Sequence, residues 1–157
     1  MLPIAVYFAS QNMRPWHDFH VASHLAFLPA LHACLTSAFP FLELAVFLAP
    51  VCVFSVAYHR LKEPRGSLVA RLDAFFAHVL FAYGVAHMFY APAPWLQAVY
   101  AVLFSVVCAT HVGGILVPSV WDRTHSVGMH LVPGLWCWLV VRFSRPLFFG
   151  WREAWLL

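Results

Sequence analysis

Five long apolar runs constrain this chain more than any other feature of its sequence. They cover about residues 20–39, 41–61, 68–90, 94–117 and 126–143. A helix needs roughly 20 mainly apolar residues to cross the ~30 Å hydrocarbon core of a bilayer. Prolines and a glycine punctuate the connections, as at Pro64, Gly66 and Pro92. The sequence therefore predicts an all-α fold, a polytopic transmembrane helix bundle of about five spans.

Composition supports a membrane environment. The chain is 63% hydrophobic and only 10% charged, which leaves too few polar side chains to cover a soluble core of 157 residues. Because the connections are short, we interpret residues 1–157 as a single integral membrane domain. We expect contact with membrane lipids, in an endomembrane or the mitochondrial inner membrane. The few basic residues lie at the ends of spans, which argues against a nucleic-acid partner.

The basic residues predict the orientation of the bundle. Five spans place the N-terminal segment, the 60–67 turn and the 118–125 turn on one side of the membrane. That side carries Arg14, Arg60, Lys62, Arg65, Arg71 and Arg123, and the other carries Arg142, Arg145 and Arg152. The positive-inside rule then makes the first side cytoplasmic or matrix.

Most histidines fall towards the same basic side. They are His17, His20, His24, His59, His78, His111, His125 and His130, whereas His32 and His87 belong to the other side. Ionisable groups within spans usually face the bundle interior and mark a site. Simple interfacial hydrogen bonding is the favoured interpretation for His17 and His20. For His24 and His78, interhelical hydrogen bonding and a metal or cofactor role both stay open.

One hairpin concentrates the polar residues that suit metal chemistry. Ser55 and His59 are four apart, so they share a helix face near the end of the second span, and Asp73 enters the third span about two turns from its start. His125 and His130 begin the fifth span at the same depth. Imidazole and carboxylate together suit zinc. We therefore predict a metal site from His59, Asp73, His125 and His130, with Ser55 and Asp73 as catalytic groups.

Two segments of this site resemble a known group of membrane proteins. The stretch "SVAYH", followed by "EPRGSLVARLD", resembles the S-x-x-[YF]-H … R-L-D signature of the hemolysin III and progestin/adipoQ receptor proteins. The segment "HSVGMHLVPG" resembles their last-helix H-x-x-x-H-L-[FV]-V-x-x-G pattern. These proteins belong to the CREST group, with the alkaline ceramidases and the myomaker-like proteins. The matching positions here are Ser55, His59, Asp73 and His130.

The resemblance covers residues 50–90 and 122–137, about a third of the chain. It implies a zinc ion held by histidines and an aspartate, and hydrolysis of lipid amide bonds, with Ser55 donating to a developing oxyanion or holding the water. Two departures limit it. His125 and His130 are five apart where the pattern has four, and a regular α-helix would separate them by about 140°. The group has seven spans, so a shortened descendant without catalysis stays open.

A second hypothesis is a non-catalytic membrane subunit of a larger assembly, such as a mitochondrial respiratory complex. The fourth span ends in "HVGGILVPSVWD". This stretch resembles the H-x(10)-D spacing of the succinate dehydrogenase membrane anchors, with His111 and Asp122 in the haem-side positions. In this alternative His111 would bind haem, and other membrane subunits would be the partners.

Overall fold

The structure is a computed structural model that describes residues 13–36, 41–64, 66–145 and 147. Its architecture is a bundle of five long helices, and no strand occurs among these residues. In chain order the helices are α1 Phe19–Thr36, α2 Leu42–Leu61, α3 Leu68–Tyr90, α4 Pro94–Leu116 and α5 Pro118–Phe143. All five are long and apolar enough to cross a membrane. The predicted all-α transmembrane bundle is confirmed, and the chain is an integral membrane protein.

The helix boundaries correct one part of the sequence interpretation. Helices α2, α3 and α4 match the predicted runs to within one residue, while residues 37–39 of the first run lie outside the described part. The predicted 118–125 turn is helical, because α5 begins at Pro118 and only Val117 separates it from α4. Proline is favoured in the first turn of a helix, where its missing N–H is not needed. Pro118 therefore starts a helix as well as following one.

Two helices contain a segment that departs from α-helical hydrogen bonding. In α1, the 3₁₀ helix Ser23–Phe27 separates Phe19–Ala22 from Leu28–Thr36. In α5, Pro118–Val120 is a 3₁₀ turn, and the π-helix Ser126–Leu131 separates Trp121–His125 from Val132–Phe143. The 3₁₀ segment of α1 packs against the π-helix of α5.

A proline follows each of these packed segments. Pro29 and Pro133 lack the N–H that would bond the carbonyl four residues earlier, and the proline ring clashes with that carbonyl in a regular helix. In α1, the N–H of Leu28 bonds the Leu25 carbonyl instead, three residues back. We attribute both departures from α-helical geometry to these prolines.

The bundle core is apolar and closely packed where α1 crosses α5. Phe27, Leu48 and Tyr100 are among the largest fully buried side chains. At Gly134 the backbones of α5 and α1 approach so closely that an added Cβ would lie 2.6 Å from the Ala26 carbonyl oxygen. This contact fixes the depth of α1 relative to α5.

One end of the bundle gathers three parts of the chain. The Arg14 backbone N–H donates to the Arg60 carbonyl at 2.9 Å, and the Arg14 guanidinium donates to Asp122 at 3.0 Å. The N-terminal segment, the end of α2 and the start of α5 therefore share one end, as the topology predicts. We call it the histidine end. Among the basic residues used in that prediction, Arg65 and Arg152 lie outside the described residues.

Candidate metal centre

Five histidine rings meet inside the histidine end, and we call them the histidine cluster. Two come from α1, one from α2 and two from α5: His20, His24, His59, His125 and His130. Ring centroids lie 3.7 Å apart for His24 and His130 and 4.2 Å apart for His20 and His59. The predicted metal site included three of these residues. The structure adds His20 and also His24, for which a metal role was one of two open interpretations.

The two histidines of α1 face inward. Both are 3% exposed, and the Asp18 side chain caps α1 by accepting the His20 backbone N–H at 2.9 Å. His20 is therefore buried rather than exposed at the interface, and its ring forms hydrogen bonds with Asp122 and Ser126, as the favoured interpretation expects. The four-residue spacing of the two histidines, which places both on one helix face at the depth of His59, was the available signal.

The π-helix brings His125 and His130 together. Their ring centroids lie 5.0 Å apart, although a regular α-helix would separate them by about 140°. A π-helix joins residue i to i+5 through its backbone hydrogen bonds, so residues five apart stack on one face. The five-residue spacing is thus compatible with a shared site in this protein.

Hydrogen bonds assign the proton on four of the five rings. His24 Nδ1 donates to the Val21 carbonyl at 3.0 Å, because a carbonyl only accepts. The Ser23 hydroxyl donates to the His20 carbonyl at 2.9 Å, so it accepts from His130 Nδ1 at 2.7 Å. In the neutral rings of His24 and His130, the lone pair therefore lies on Nε2.

The hydrogen bonds of His20 and His59 assign their ring protons in the same way. His20 Nδ1 lies 3.2 Å from the Asp122 carbonyl and 2.8 Å from Ser126 Oγ, whose own proton goes to that carbonyl. His20 Nδ1 is thus the donor, and its Nε2 accepts from His59 Nδ1 at 2.7 Å. His59 Nε2 carries a lone pair and has no hydrogen-bond partner among the described residues, although it is buried. His125 Nδ1 is also buried without a partner there.

The cluster divides into two groups that fit a metal ion. The outer triad is His20, His59 and His125, and the inner triad is His24, His59 and His130; within each, one ligand atom per residue lies within 4.8 Å of the others. Nitrogens bonded to one tetrahedral zinc ion at ~2.0–2.1 Å lie about 3.3–3.4 Å from one another. Side-chain adjustments that shorten the separations by up to about 1.5 Å would bring either triad into that range.

The structure separates Asp73 from both triads. The Ser55 hydroxyl lies 2.8 Å from His24 Nε2, and Asp73 of α3 lies near Ser55. Ser55 therefore stands between Asp73 and the inner triad, and Asp73 is in neither metal-compatible group of the described residues. The structure brings together His59, His125 and His130 of the predicted site. A ligand role for Asp73 stays a prediction.

The other histidines of the basic side stay apart from the cluster. His17 and His78 are exposed, and His78 Nδ1 bonds the Ala74 carbonyl of its own helix at 2.5 Å. His111 is exposed and packs edge-on against Trp121, with ring centroids 5.8 Å apart. Asp122 forms an ion pair with Arg14. Haem binding at His111 stays a prediction.

Comparison of this chain with protein-family models, curated proteins and solved structures finds no match. The resemblance to the CREST group therefore rests on the motifs around Ser55, Asp73 and His130 alone.

Proposed function

We propose that this membrane protein binds a zinc ion in the histidine cluster and acts as a hydrolase on lipid amide bonds. The observation that carries the metal site is the buried lone pair of His59 Nε2, because His59 forms a metal-compatible triad with His24 and His130. Histidines that bind metals usually donate their other ring N–H to a carbonyl or similar acceptor, which fixes the ring. All three inner rings have such a bond through Nδ1.

The hydrolase part of the proposal rests on the surroundings of the inner triad. Bound zinc supplies a Lewis acid and activates water near neutral pH. Ser55 and Asp73 line the same position, so Ser55 can orient a substrate carbonyl and Asp73 can accept a proton. The site lies among helices that cross the membrane and are surrounded by lipid, which favours a lipid substrate.

Metal analysis of the purified full chain tests the first half of the proposal. We expect about one zinc per chain, lost on chelation and restored by added zinc. The variant His78→Ala is a matched control, because His78 lies outside the cluster. Absence of stoichiometric zinc, with no uptake of added zinc, would contradict the metal site.

A lipid-amidase assay tests the second half. Asp73→Asn keeps the shape of the side chain but removes the proton acceptor, so we expect loss of turnover with zinc content retained. An Asp73→Asn variant with wild-type turnover would end the hydrolase proposal. If the wild-type protein holds zinc and cleaves no lipid amide, the non-catalytic descendant is the better description.

A further inference from the structure

An open cleft at the surface of the bundle borders the histidine cluster at His20. Its volume is about 480 Å³, and its lining consists of Asp18, Phe19, His20, Asp122, Arg123 and Val127. His20 is the one cluster residue in this lining, and it belongs to the outer triad with His59 and His125. A cation that enters through the cleft therefore meets the outer triad first.

We propose that the two triads act in sequence on a divalent cation: the outer triad captures it and the inner triad retains it. This inference rests on the proposed metal site, and it adds an entry route and a capture step. In this proposal His20 and His125, which share the outer triad with His59, capture the cation.

The hydrogen bonds explain why the inner triad is the resting position. Its Nε2 lone pairs are already oriented by the bonds at Nδ1. In the outer triad, by contrast, the His20 Nε2 lone pair accepts the His59 Nδ1 proton at 2.7 Å. Completing the outer triad therefore breaks the bond that orients His59, whereas completing the inner triad keeps that bond and displaces only the rotatable Ser55 hydroxyl from His24 Nε2. The outer triad binds more weakly for this reason.

The shared residue makes occupancy of the two triads exclusive. His59 belongs to both, and its neutral ring has a single lone pair to offer. Two divalent cations in neighbouring triads would also repel strongly inside a low-dielectric bundle. No carboxylate is a member of either triad in the described residues, so nothing within the triads offsets that repulsion. The cluster therefore holds one cation at a time.

Two residues of α5 give a matched pair for the test. His125 is in the outer triad and His130 is in the inner triad, and both lie at the π-helix. The full chain in detergent is mixed rapidly with Co²⁺, whose visible absorption reports its ligands. For His125→Ala we expect association at least tenfold slower, with the wild-type spectrum at saturation. For His130→Ala we expect a dissociation constant at least a hundredfold higher and a changed spectrum.

The outcomes separate this inference from the proposed function. If His125→Ala and His130→Ala change the final spectrum and the affinity alike, one site uses both residues and sequential capture is wrong. Unchanged association in His125→Ala would also overturn it. A wild-type chain that binds no Co²⁺ or Zn²⁺ overturns the metal site itself. Thermal unfolding identifies any misfolded variant. The variants His125→Asn and His130→Asn then replace the misfolded alanine variants. His78→Ala is the control.

Discussion

At the far end of the bundle, Glu43 accepts hydrogen bonds from the Tyr83 hydroxyl and the Leu147 backbone N–H, while the histidine end holds imidazoles with buried lone pairs. Glu43 and His59 lie at opposite ends of α2, about 24 Å apart at 1.5 Å per residue. Each end thus buries ionisable groups. At the far end the carboxylate of Glu43 is bonded by donors from α3 and from Leu147.

The far end also contains a buried histidine, His87. It is 1% exposed, and neither ring nitrogen has a partner among the described residues. It packs against Tyr83 with ring centroids 4.6 Å apart, but no triad of metal-binding side chains forms around it there. A single buried imidazole therefore does not make a metal site. Convergence of several lone pairs distinguishes the histidine end.

The largest expected effect on zinc affinity comes from replacing one buried histidine at each end with alanine and comparing the two variants. His59→Ala removes the residue common to both triads, so we expect the zinc dissociation constant to rise more than a hundredfold. Loss of groups that only orient a ligand costs about 10–100-fold, and loss of the ligand should exceed that. His87→Ala should leave zinc affinity unchanged. Competition titration with a chromophoric chelator measures both, and equal losses would mean that the two ends do not differ.

Removing an orienting group should have the next largest effect. Ser23 Oγ accepts from His130 Nδ1 at 2.7 Å and fixes that ring for the inner triad. Ser23→Ala should raise the zinc dissociation constant by about 10–100-fold, because the ring loses its orientation. Ser105→Ala is the control, since this exposed hydroxyl bonds only the Ala101 carbonyl of its own helix. Wild-type affinity in Ser23→Ala would show that this bond does not prepare the site.

At the far end, the expected loss is in stability rather than in binding. Tyr83→Phe removes a donor to the buried carboxylate of Glu43 and should lower the free energy of unfolding by about 1–3 kcal/mol. Zinc affinity should stay at the wild-type value. Tyr90→Phe on the same helix is the control, because Tyr90 is 75% exposed. Denaturant unfolding in detergent measures the difference. A weaker zinc affinity in Tyr83→Phe would instead couple the two ends.

The sequence predicted the helices and the end at which the histidines gather. Hydropathy determines which runs cross the membrane, and the parity of the spans determines which histidines share a side. Hydropathy is summed over a run of residues, and parity is found by counting spans, so neither requires knowledge of packing. The contacts of Arg14 with Arg60 and Asp122 agree with the predicted end.

The details of the site depended on packing that the sequence pattern does not contain. The π-helix rotates His130 towards His125, and it packs where Gly128 meets α4 so closely that an added Cβ would lie 1.7 Å from Thr110 Oγ1. Pro133 was the visible signal for this break, as Pro29 was in α1. His20 and His24 are buried beside the π-helix, against which the 3₁₀ segment of α1 packs. Helical spacing alone left their roles open.

The smallest expected effect tests whether zinc binding depends on the histidine cluster alone or on the whole histidine end. Ser67 caps α3 at that end, where its hydroxyl accepts the Ala70 backbone N–H at 3.1 Å, yet it belongs to neither triad. Ser67→Ala should lower the free energy of unfolding by about 1 kcal/mol through loss of the cap. Zinc affinity should be unchanged, because the ligands and their orienting bonds are intact. The exposed Ser119 at the start of α5 supplies the control variant Ser119→Ala. Unfolding and chelator competition on the same samples decide the outcome: a fall in zinc affinity would mean that the whole end, rather than the cluster, sets the binding.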